Sequence, residues 1–212
     1  MTSDYRTIAH DGVNEMIIKK SRFITTMARV HTTEEAEALI ARVKKEHYKA
    51  NHSVSAFQLG DHDQVQRAHD DGEPSGTAGA PMLQVLQQMQ LKDVVAVTTR
   101  YFGGIKLGAG GLIRAYANSV SEAAHALGIV RLAEQVACQI TISYAQLGSI
   151  QNYLAEQDLQ VDHIDYAADV TVHLFVDTSA VDAFSAAIIE RFNNQLTLTR
   201  GDKRFREIPV TE

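Results

Sequence analysis

The sequence predicts an α+β protein of two domains, residues 1–134 and 135–212. A length of 212 residues suits one large or two small domains. A buried strand, a glycine-rich loop and an amphipathic helix follow one another between Val94 and Ala124. Strands and helices continue in a different order through the second half, and no spacer rich in Pro, Gly or Ser separates the two parts.

Hydrophobic periodicity predicts the elements of the first domain. The run Val94–Val97 is continuously apolar and rich in β-branched residues, which is typical of a buried strand. Leu112, Tyr116 and Val120 recur at helical spacing and predict an amphipathic helix. By the same criteria we expect strands near 16–30, 52–59, 93–100 and 129–136, and helices at 33–47, 78–90 and 111–127.

The second domain has a clear order of predicted elements. We expect a strand at 137–143, a helix at 144–156, strands at 159–166 and 169–176, a helix at 178–192 and a last strand at 195–205. Val170, Val172 and Leu174 alternate with polar residues, which indicates a strand with one buried face. This β-α-β-β-α-β order is that of a ferredoxin-like unit.

Five glycines fall within nine residues between the buried strand and its helix: Gly103, Gly104, Gly108, Gly110 and Gly111. Glycine permits positive φ and close approach of the backbone to another group. The next helix offers unpaired N–H groups, and Arg100, Lys106 and Arg114 add positive charge. The pattern predicts a site for a phosphate, a nucleic-acid backbone or an acidic partner. The alternative is a tight connection whose glycines only allow close packing.

The polar loop at 60–81 is the second stretch that could carry chemistry. It holds one histidine and three carboxylates within five residues: His69, Asp70, Asp71 and Glu73. Such a cluster could ligate a hard cation or supply a general acid or base. The alternative, which we favour, is a turn in which the aspartates bond backbone amides and Ser75 or Thr77 caps the next helix.

Charge is unevenly distributed along the chain. Residues 1–136 hold 15 basic and 15 acidic residues, whereas residues 137–212 hold 5 basic and 11 acidic ones and so carry the whole net charge of −6. Binding of nucleic acid would therefore need a local basic patch. The candidates are Lys19, Lys20 and Arg22 near the start, the glycine-rich stretch, and the basic run at 200–206. For the first cluster we favour a solvated turn or the cover of an edge strand, and for the last an ordinary charged sheet edge.

Composition also narrows the class of protein. No apolar run approaches the roughly 18 residues that a membrane span needs. The segment Met1–His10 lacks the apolar core of a signal peptide, and the single Cys138 cannot form an internal disulfide. We therefore expect a cytoplasmic monomer without a metal or another cofactor.

Two long motifs connect the sequence to a known family. Asp70–Gly79 reads DDGEPSGTAG, and Arg100–Tyr116 reads RYFGGIKLGAGGLIRAY. With Lys20–Ile24 (KSRFI) and His52, they resemble the signature of the IMPACT/YigZ family over the whole chain. The resemblance implies a ribosomal protein S5 domain 2-like fold for residues 1–134. For residues 135–212 it implies a ferredoxin-like fold of the elongation factor G domain V type.

The resemblance also implies a function. It points to a non-enzymatic, translation-linked regulator that binds RNA, the ribosome or a translation-control protein. The alternative is a small phosphotransferase or hydrolase that binds a nucleotide or phosphate between the two motifs. We assign no catalytic residue, and the candidate binding residues are Arg22, Asp71, Glu73, Ser75, Thr77, Arg100, Tyr101, Gly103, Gly104, Lys106, Gly110, Gly111 and Arg114.

Overall fold

The computed structural model describes residues 4–60 and 62–210. These residues form two five-stranded sheets and five α-helices. The chain divides into two compact units, Met1–Leu132 with Glu207–Glu212, and Ala133–Arg206. The end of the chain thus groups with the first unit, whereas the sequence placed all of residues 135–212 in the second. One contact that holds it there is the 2.9 Å hydrogen bond from Val210 N to Ile129 O.

The first unit is built around an antiparallel sheet of strand order β2-β3-β6-β4-β5. Its strands, together with β1 outside this sheet, are β1 (Asp4–Ile8), β2 (Gly12–Ile18), β3 (Ser21–Arg29), β4 (His52–Leu59), β5 (Val65–His69) and β6 (Val94–Tyr101). On the central β6, Val94 and Ala96 pack into one hydrophobic core, and Val95 and Val97 into another. Both faces of β6 are buried, which explains its continuous apolar run.

Three helices cover this sheet: α1 (Thr33–Glu46), α2 (Gly79–Gln88) and α3 (Ala109–Leu127). The second and third pack on each other and on β2, β3 and β4, while α1 packs on β4 and β6. Thr32 caps α1 by accepting a hydrogen bond from Glu35 N. All three helices lie where the periodicity predicted them. None of the helices in the described residues combines the length and apolar character needed to cross a membrane.

Two strands of the first unit were not predicted. The segment at 16–30 is a hairpin of β2 and β3, whose turn places Lys19 at φ 45° and Lys20 at φ 67°. The solvated turn favoured for these lysines is confirmed, although glycine and asparagine are the usual residues at such positions. The short β1 and β5 were also missed, and β5 lies inside the segment predicted to be a loop.

The second unit shows the predicted order of elements. Its members are β7 (Ile129–Ile142), a short 3₁₀ turn (Tyr144–Gln146), α4 (Leu147–Glu156), β8 (Val161–Tyr166), β9 (Val170–Asp177), α5 (Val181–Arg191) and β10 (Thr197–Pro209). The second sheet has the order β1-β7-β9-β8, and β10 also pairs with β7, so the strands of this unit follow the order β10-β7-β9-β8. Ile140, Ile150 and Ile188 are fully buried in the core of this unit. The two strands predicted at 129–136 and 137–143 are one strand, so the change of unit falls inside β7.

Candidate functional site

The first motif forms the acidic loop, which we define as residues 70–78, between β5 and α2. The Asp70 carboxylate accepts hydrogen bonds from the backbone N–H groups of Gly76 (2.8 Å), Ala78 (3.2 Å) and Gly79 (2.8 Å). Burial raises the pKa of Asp70, but these three amides outweigh it, so the net effect is a lowered pKa. Asp70 therefore stays ionised and satisfies the first N–H groups of α2. This confirms the structural-turn interpretation for Asp70.

Ser75 and Thr77 do not cap α2 as the sequence led us to expect. The residue at the cap position is Ala78, which makes no side-chain cap hydrogen bond. Thr77 is buried, and its hydroxyl donates to Pro74 O at 2.6 Å, while Ser75 is exposed. The cap comes instead from Asp70, several residues earlier, which local sequence rules for helix starts do not anticipate.

Asp71 ties the acidic loop to α1 and β4. One carboxylate oxygen accepts from Lys44 Nζ at 2.6 Å, and the other accepts from Ser53 N at 2.7 Å. Its carbonyl oxygen lies 2.9 Å from His52 Nδ1. Burial raises the pKa of Asp71, but the hydrogen bonds from Lys44 and Ser53 and the charges of Lys44 and His52 lower it overall. The Asp71 side chain thus acts as a fixed anchor within the first unit.

Glu73 is the centre of a buried group that we call the Glu73 cluster, made of Glu73, Arg100 and Tyr116. Arg100 Nη1 and the Tyr116 hydroxyl each donate to Glu73 Oε1 at 2.7 Å. The side chains of Glu73 and Arg100 are 3% and 7% exposed. Burial first, and then the hydrogen bond to Glu73, raise the pKa of Tyr116 far above its usual range. The phenol therefore remains protonated and is a permanent donor to Glu73.

Arg100 is an interior residue, which corrects the expectation that it is a surface cation. Its guanidinium carbon lies 5.5 Å from the ring centroids of both Phe23 and Phe102. Its Nε is buried and has no hydrogen-bond partner within residues 4–60 and 62–210. Since Glu73 matches its charge, Arg100 is not available to bind a phosphate at the surface.

The Glu73 cluster also links the two motifs. Glu73 belongs to the acidic loop, Arg100 lies near the end of β6, and Tyr116 lies on α3. The glycine loop, which we define as residues 102–108, runs between β6 and α3. The acidic loop is therefore joined, through Glu73, to the elements on both sides of the glycine loop. The sequence suggested that the two loops come together, and the contact that relates them is this buried cluster.

The glycine loop is held against the turn between β2 and β3. A Cβ on Gly103 would lie 2.0 Å from Lys20 O, so only glycine fits there without movement of the backbone. Gly103 N donates to Ser21 Oγ at 3.2 Å, and Phe102 N donates to Asn51 Oδ1 at 2.8 Å. Gly104 has a φ of +86°, in the left-handed region that favours glycine. The close-packing interpretation is therefore correct for Gly103.

Around this loop lies a surface of exposed cations and exposed apolar side chains. We call it the loop surface, and it comprises Lys19, Lys20, Phe102, Ile105, Lys106, Ile113 and Arg114. Phe102 is 45% exposed, and Ile105 and Ile113 are each 42% exposed. No acidic residue occurs in the sequence between Asp93 and Glu122, so this segment itself carries no negative side chain.

Gly110 and Gly111 belong to the first turn of α3, whose cap position is Gly108 and carries no side-chain cap. A Cβ on Gly110 would lie 3.8 Å from Arg114 Nη1, so the Arg114 side chain lies close to this turn. A helix start without a side-chain cap leaves backbone N–H groups open to an anion. Lys106 and Arg114 are both exposed and flank this turn in sequence.

Arg22 and Tyr101 lie beside the loop surface, but neither offers a free charge. Arg22 Nε and Nη2 donate to the two carboxylate oxygens of Glu15 at 2.8 and 3.0 Å. The Arg22 guanidinium carbon lies 5.6 Å from the centroid of the Tyr101 ring, whose hydroxyl is 3.0 Å from His47 Nδ1. This bidentate pair matches the charge of Arg22 within the first unit.

Sequence reasoning missed several partners in these contacts. Tyr116 was assigned only to the apolar face of α3. Neither His52 nor Lys44 was connected with the acidic loop. A buried partner for Tyr116 could have been anticipated, because a tyrosine on the buried face of a helix usually has a hydrogen-bond partner for its hydroxyl. Nothing in the sequence identified Glu73 as that partner.

Comparison with known proteins assigns the chain to a family. Residues 19–124 match the Impact N-terminal domain, and residues 140–195 match a domain of unknown function, DUF1949. The IMPACT family member YvyE of Bacillus subtilis is 44% identical over 99% of this chain and 97% of its own length. The chain belongs to the IMPACT family. YigZ of Escherichia coli, another IMPACT family member, is 37% identical over 85% of this chain and 90% of its own length.

More distant IMPACT relatives share only part of the chain. Protein IMPACT of Mus musculus is 30% identical over 50% of this chain and 34% of its own length. A solved structure described as a hypothetical protein is 35% identical, with a TM-score of 0.59 over 93% of this chain and 97% of that one. The mixed α and β architecture is therefore shared with a solved structure of related sequence.

Proposed function

We propose that this IMPACT family member is a non-enzymatic regulator linked to translation, and that it binds ribosomal RNA through the loop surface. The exposure of Lys106 and Arg114 in a stretch without acidic residues is the observation that carries this proposal. Phosphate groups attract exposed cations strongly, and the attraction dominates the affinity of most proteins for nucleic acids. The link to translation comes from the family resemblance.

Two further features of the loop surface support an RNA partner. The uncapped start of α3 offers backbone N–H groups near Arg114, which suits a phosphate oxygen. Phe102 and Ile105 are exposed beside Lys106, and an exposed aromatic ring can stack on an unpaired base. An acidic protein surface would use the cations but would gain less from the ring. We therefore favour RNA and treat an acidic protein as an outcome of the test.

The proposed folds of the two units agree with this function. We propose that the first unit has a ribosomal protein S5 domain 2-like fold and the second a ferredoxin-like fold. The strand order β10-β7-β9-β8 and the β-α-β-β-α-β sequence of elements support the second assignment. Both folds occur in proteins associated with the ribosome, which is a fold-level analogy and carries less weight than the loop surface.

The acidic loop does not favour the alternative of a phosphotransferase or hydrolase. Such an enzyme would need carboxylates that converge on a magnesium ion. Asp70 instead accepts from backbone amides, Asp71 from Lys44 and Ser53, and Glu73 from Arg100 and Tyr116. The three carboxylates are thus directed at three different sets of partners, and each set has a structural explanation.

The proposal is tested by co-sedimentation of the purified chain with bacterial ribosomal subunits at several salt concentrations. The variant is Lys106→Ala with Arg114→Ala, and the matched control is Arg42→Ala with Lys45→Ala, which removes two exposed cations from α1. We expect the loop variant to bind more weakly than wild type, and the negative slope of log K against log[salt] to become shallower by about 1.4–1.8. The control should match wild type.

RNase treatment separates the two kinds of partner. The proposal would be supported if RNase, which digests the rRNA, abolishes co-sedimentation of the chain. Direct binding of the chain to purified rRNA would support it as well. Binding that persists on RNase-treated protein fractions would assign the loop surface to an acidic protein. Equal binding by the loop variant and wild type would show that the loop surface is not the contact.

A further inference from the structure

Two strands of the second unit bring together side chains that the proposed function does not use. His163 on β8 lies directly opposite His173 on β9 in the antiparallel register. Their rings stack with centroids 4.0 Å apart and planes 13° from parallel. Asp165 follows His163 by two positions, so both side chains project from the same face of β8. The pairing of the strands thus collects two imidazoles and a carboxylate on one face.

Hydrogen bonds already connect these side chains. His173 Nε2 lies 3.0 Å from Asp165 Oδ2, and His163 Nδ1 lies 2.8 Å from Asp162 Oδ2. One atom of each of His163, Asp165 and His173 that could ligate a metal lies within 4.8 Å of the other two. Rotation of the two rings out of their stack, so that both in-plane lone pairs point to one place, would bring three such atoms to the roughly 2 Å bond lengths of a bound Zn²⁺ ion.

A bulge in β8 explains the position of Asp162. The register shifts between Val161 and His163, so Asp162 is an extra residue on β8 with no partner on β9. Neighbouring residues of a regular strand point to opposite faces, and a bulge re-aims the side chain beside it. Here the bulge lets the Asp162 carboxylate reach the ring of the next residue, His163.

We propose that His163, Asp165 and His173 form a binding site for a divalent transition-metal ion such as Zn²⁺. His163 would bind through Nε2, because its Nδ1–H donates to Asp162 and leaves the other nitrogen with its lone pair. A histidine ligand whose second nitrogen donates to a carboxylate is a recurrent arrangement in metal sites. The ion would replace the hydrogen bond between His173 Nε2 and Asp165 Oδ2, and the proton of that bond would pass to solvent.

The surroundings suit an ion that enters from solvent. The side chain of His173 is 18% exposed, whereas those of His163 and Asp165 are 54% and 67% exposed. One ligand is therefore fixed by packing, and the open side leaves a position for water. Two imidazoles and one carboxylate favour zinc, copper or nickel over magnesium or calcium. Because β8 lies at the end of the strand order β10-β7-β9-β8, the ion would fasten an edge strand to its neighbour.

The test is calorimetric titration of the purified full-length chain with Zn²⁺. We expect saturable binding with one ion per chain, and loss of that binding in His163→Asn and in His173→Asn. Asp162→Asn should weaken affinity by about 10-fold, because loss of an outer partner typically costs 10–100-fold. His10→Asn is the matched control, since it removes an exposed imidazole of the first unit and should leave the titration unchanged.

Folding of the variants is checked separately by far-UV circular dichroism and by melting without metal. The imidazole resonances of His163 and His173 should shift together on addition of Zn²⁺ to wild type, while those of His10 should not. The proposal is overturned if wild type shows no saturable binding at submillimolar Zn²⁺. Equal titrations of wild type and His163→Asn would overturn it as well.

Discussion

The two motif loops of the first unit use their charged residues in opposite ways. In the acidic loop, Asp70, Asp71 and Glu73 all bond to groups of the same unit, and Glu73 is buried. Around the glycine loop, Lys106 and Arg114 are exposed, and no acidic residue is near them in sequence. A dense run of charges is therefore not itself a sign of a binding site. The informative property is whether those charges are already matched inside the fold.

This difference follows from the position of each loop. A carboxylate that is removed from water needs a partner, because an unpaired buried charge costs several kcal/mol. Glu73 meets that need through Arg100 and Tyr116, and so it fastens the acidic loop to β6 and α3. The glycine loop starts two residues after Arg100, so the buried cluster holds the elements that present the loop surface. We infer that the acidic loop supports the loop surface, which lies around the glycine loop.

Loss of the central carboxylate should have the largest effect. In Glu73→Gln, Arg100 keeps its charge but loses its charged partner. We therefore expect the free energy of unfolding to fall by about 3–5 kcal/mol. Urea denaturation followed by circular dichroism measures this difference. Replacing the pair together, as Glu73→Met with Arg100→Leu, should recover part of the loss, because it removes both buried charges. A decrease of less than about 1 kcal/mol in the free energy of unfolding of Glu73→Gln would mean that the Glu73 cluster contributes little to stability.

Gly103→Ala should have the next largest effect. The added Cβ would meet Lys20 O at 2.0 Å, so the β2–β3 turn and the glycine loop would have to separate. We expect a destabilisation of about 1–3 kcal/mol, as for other overpacked sites.

Gly110→Ala is the matched control for Gly103→Ala. Its Cβ would make only ordinary contact, and an alanine in this first turn of α3 should stabilise by about 0.5–1 kcal/mol. Thermal melts and ribosome binding are measured for both variants. The comparison distinguishes disruption of the glycine loop from disruption of the start of α3. If both substitutions are neutral, the contact between turn and loop does not constrain the fold.

Most elements of the fold could be predicted from periodicity, because their apolar faces are large and regular. The alternation of Val94–Val97 between two cores and the 3.6-residue spacing of α3 are examples. The positive φ values of the Lys19-Lys20 turn could not be predicted, since they are imposed by the pairing of β2 with β3. The short β5 was not predicted for a similar reason, because its strand conformation depends on pairing with β4.

The site was predictable only in part, because sequence shows charges and not their partners. The exposed Lys106 and Arg114 and the backbone role of Asp70 agree with what the residue types indicate. Arg100 looked identical to Arg114 in sequence, yet β6 buries one and the surface of α3 exposes the other. The partner of Arg100 lies 27 residues away along the chain, and no local pattern links the two.

Asp70→Ala should have a smaller effect that depends on pH. At pH 7 the variant loses the charged acceptor at the start of α2, which should cost about 0.5–2 kcal/mol. The pKa of Asp70 is lowered in the folded state, so its contribution is full above the usual carboxyl pKa of about 3.9 and is lost as the pH falls through the folded-state value. The gap between wild type and variant should therefore shrink in acid.

Urea midpoints at several pH values measure the gap between wild type and Asp70→Ala. Glu37→Ala, which removes an exposed carboxylate from α1, is the control and should show a small difference at every pH. A gap in Asp70→Ala that stays constant down to pH 2 would mean that the charge of Asp70 contributes nothing to the cap.

Arg114→Ala should have the smallest effect on the fold and still change binding. Arg114 is exposed, so we expect a change in stability within about 0.5 kcal/mol. If Arg114 contacts a phosphate, the negative slope of log K against log[salt] for rRNA binding should become shallower by about 0.7–0.9 in the variant. Arg22→Ala is the sharpest comparison, because Glu15 already matches the charge of Arg22, and its salt slope should stay close to that of wild type. Equal slopes for Arg114→Ala and wild type would show that exposure of a cation beside the glycine loop is not sufficient to identify the RNA contact.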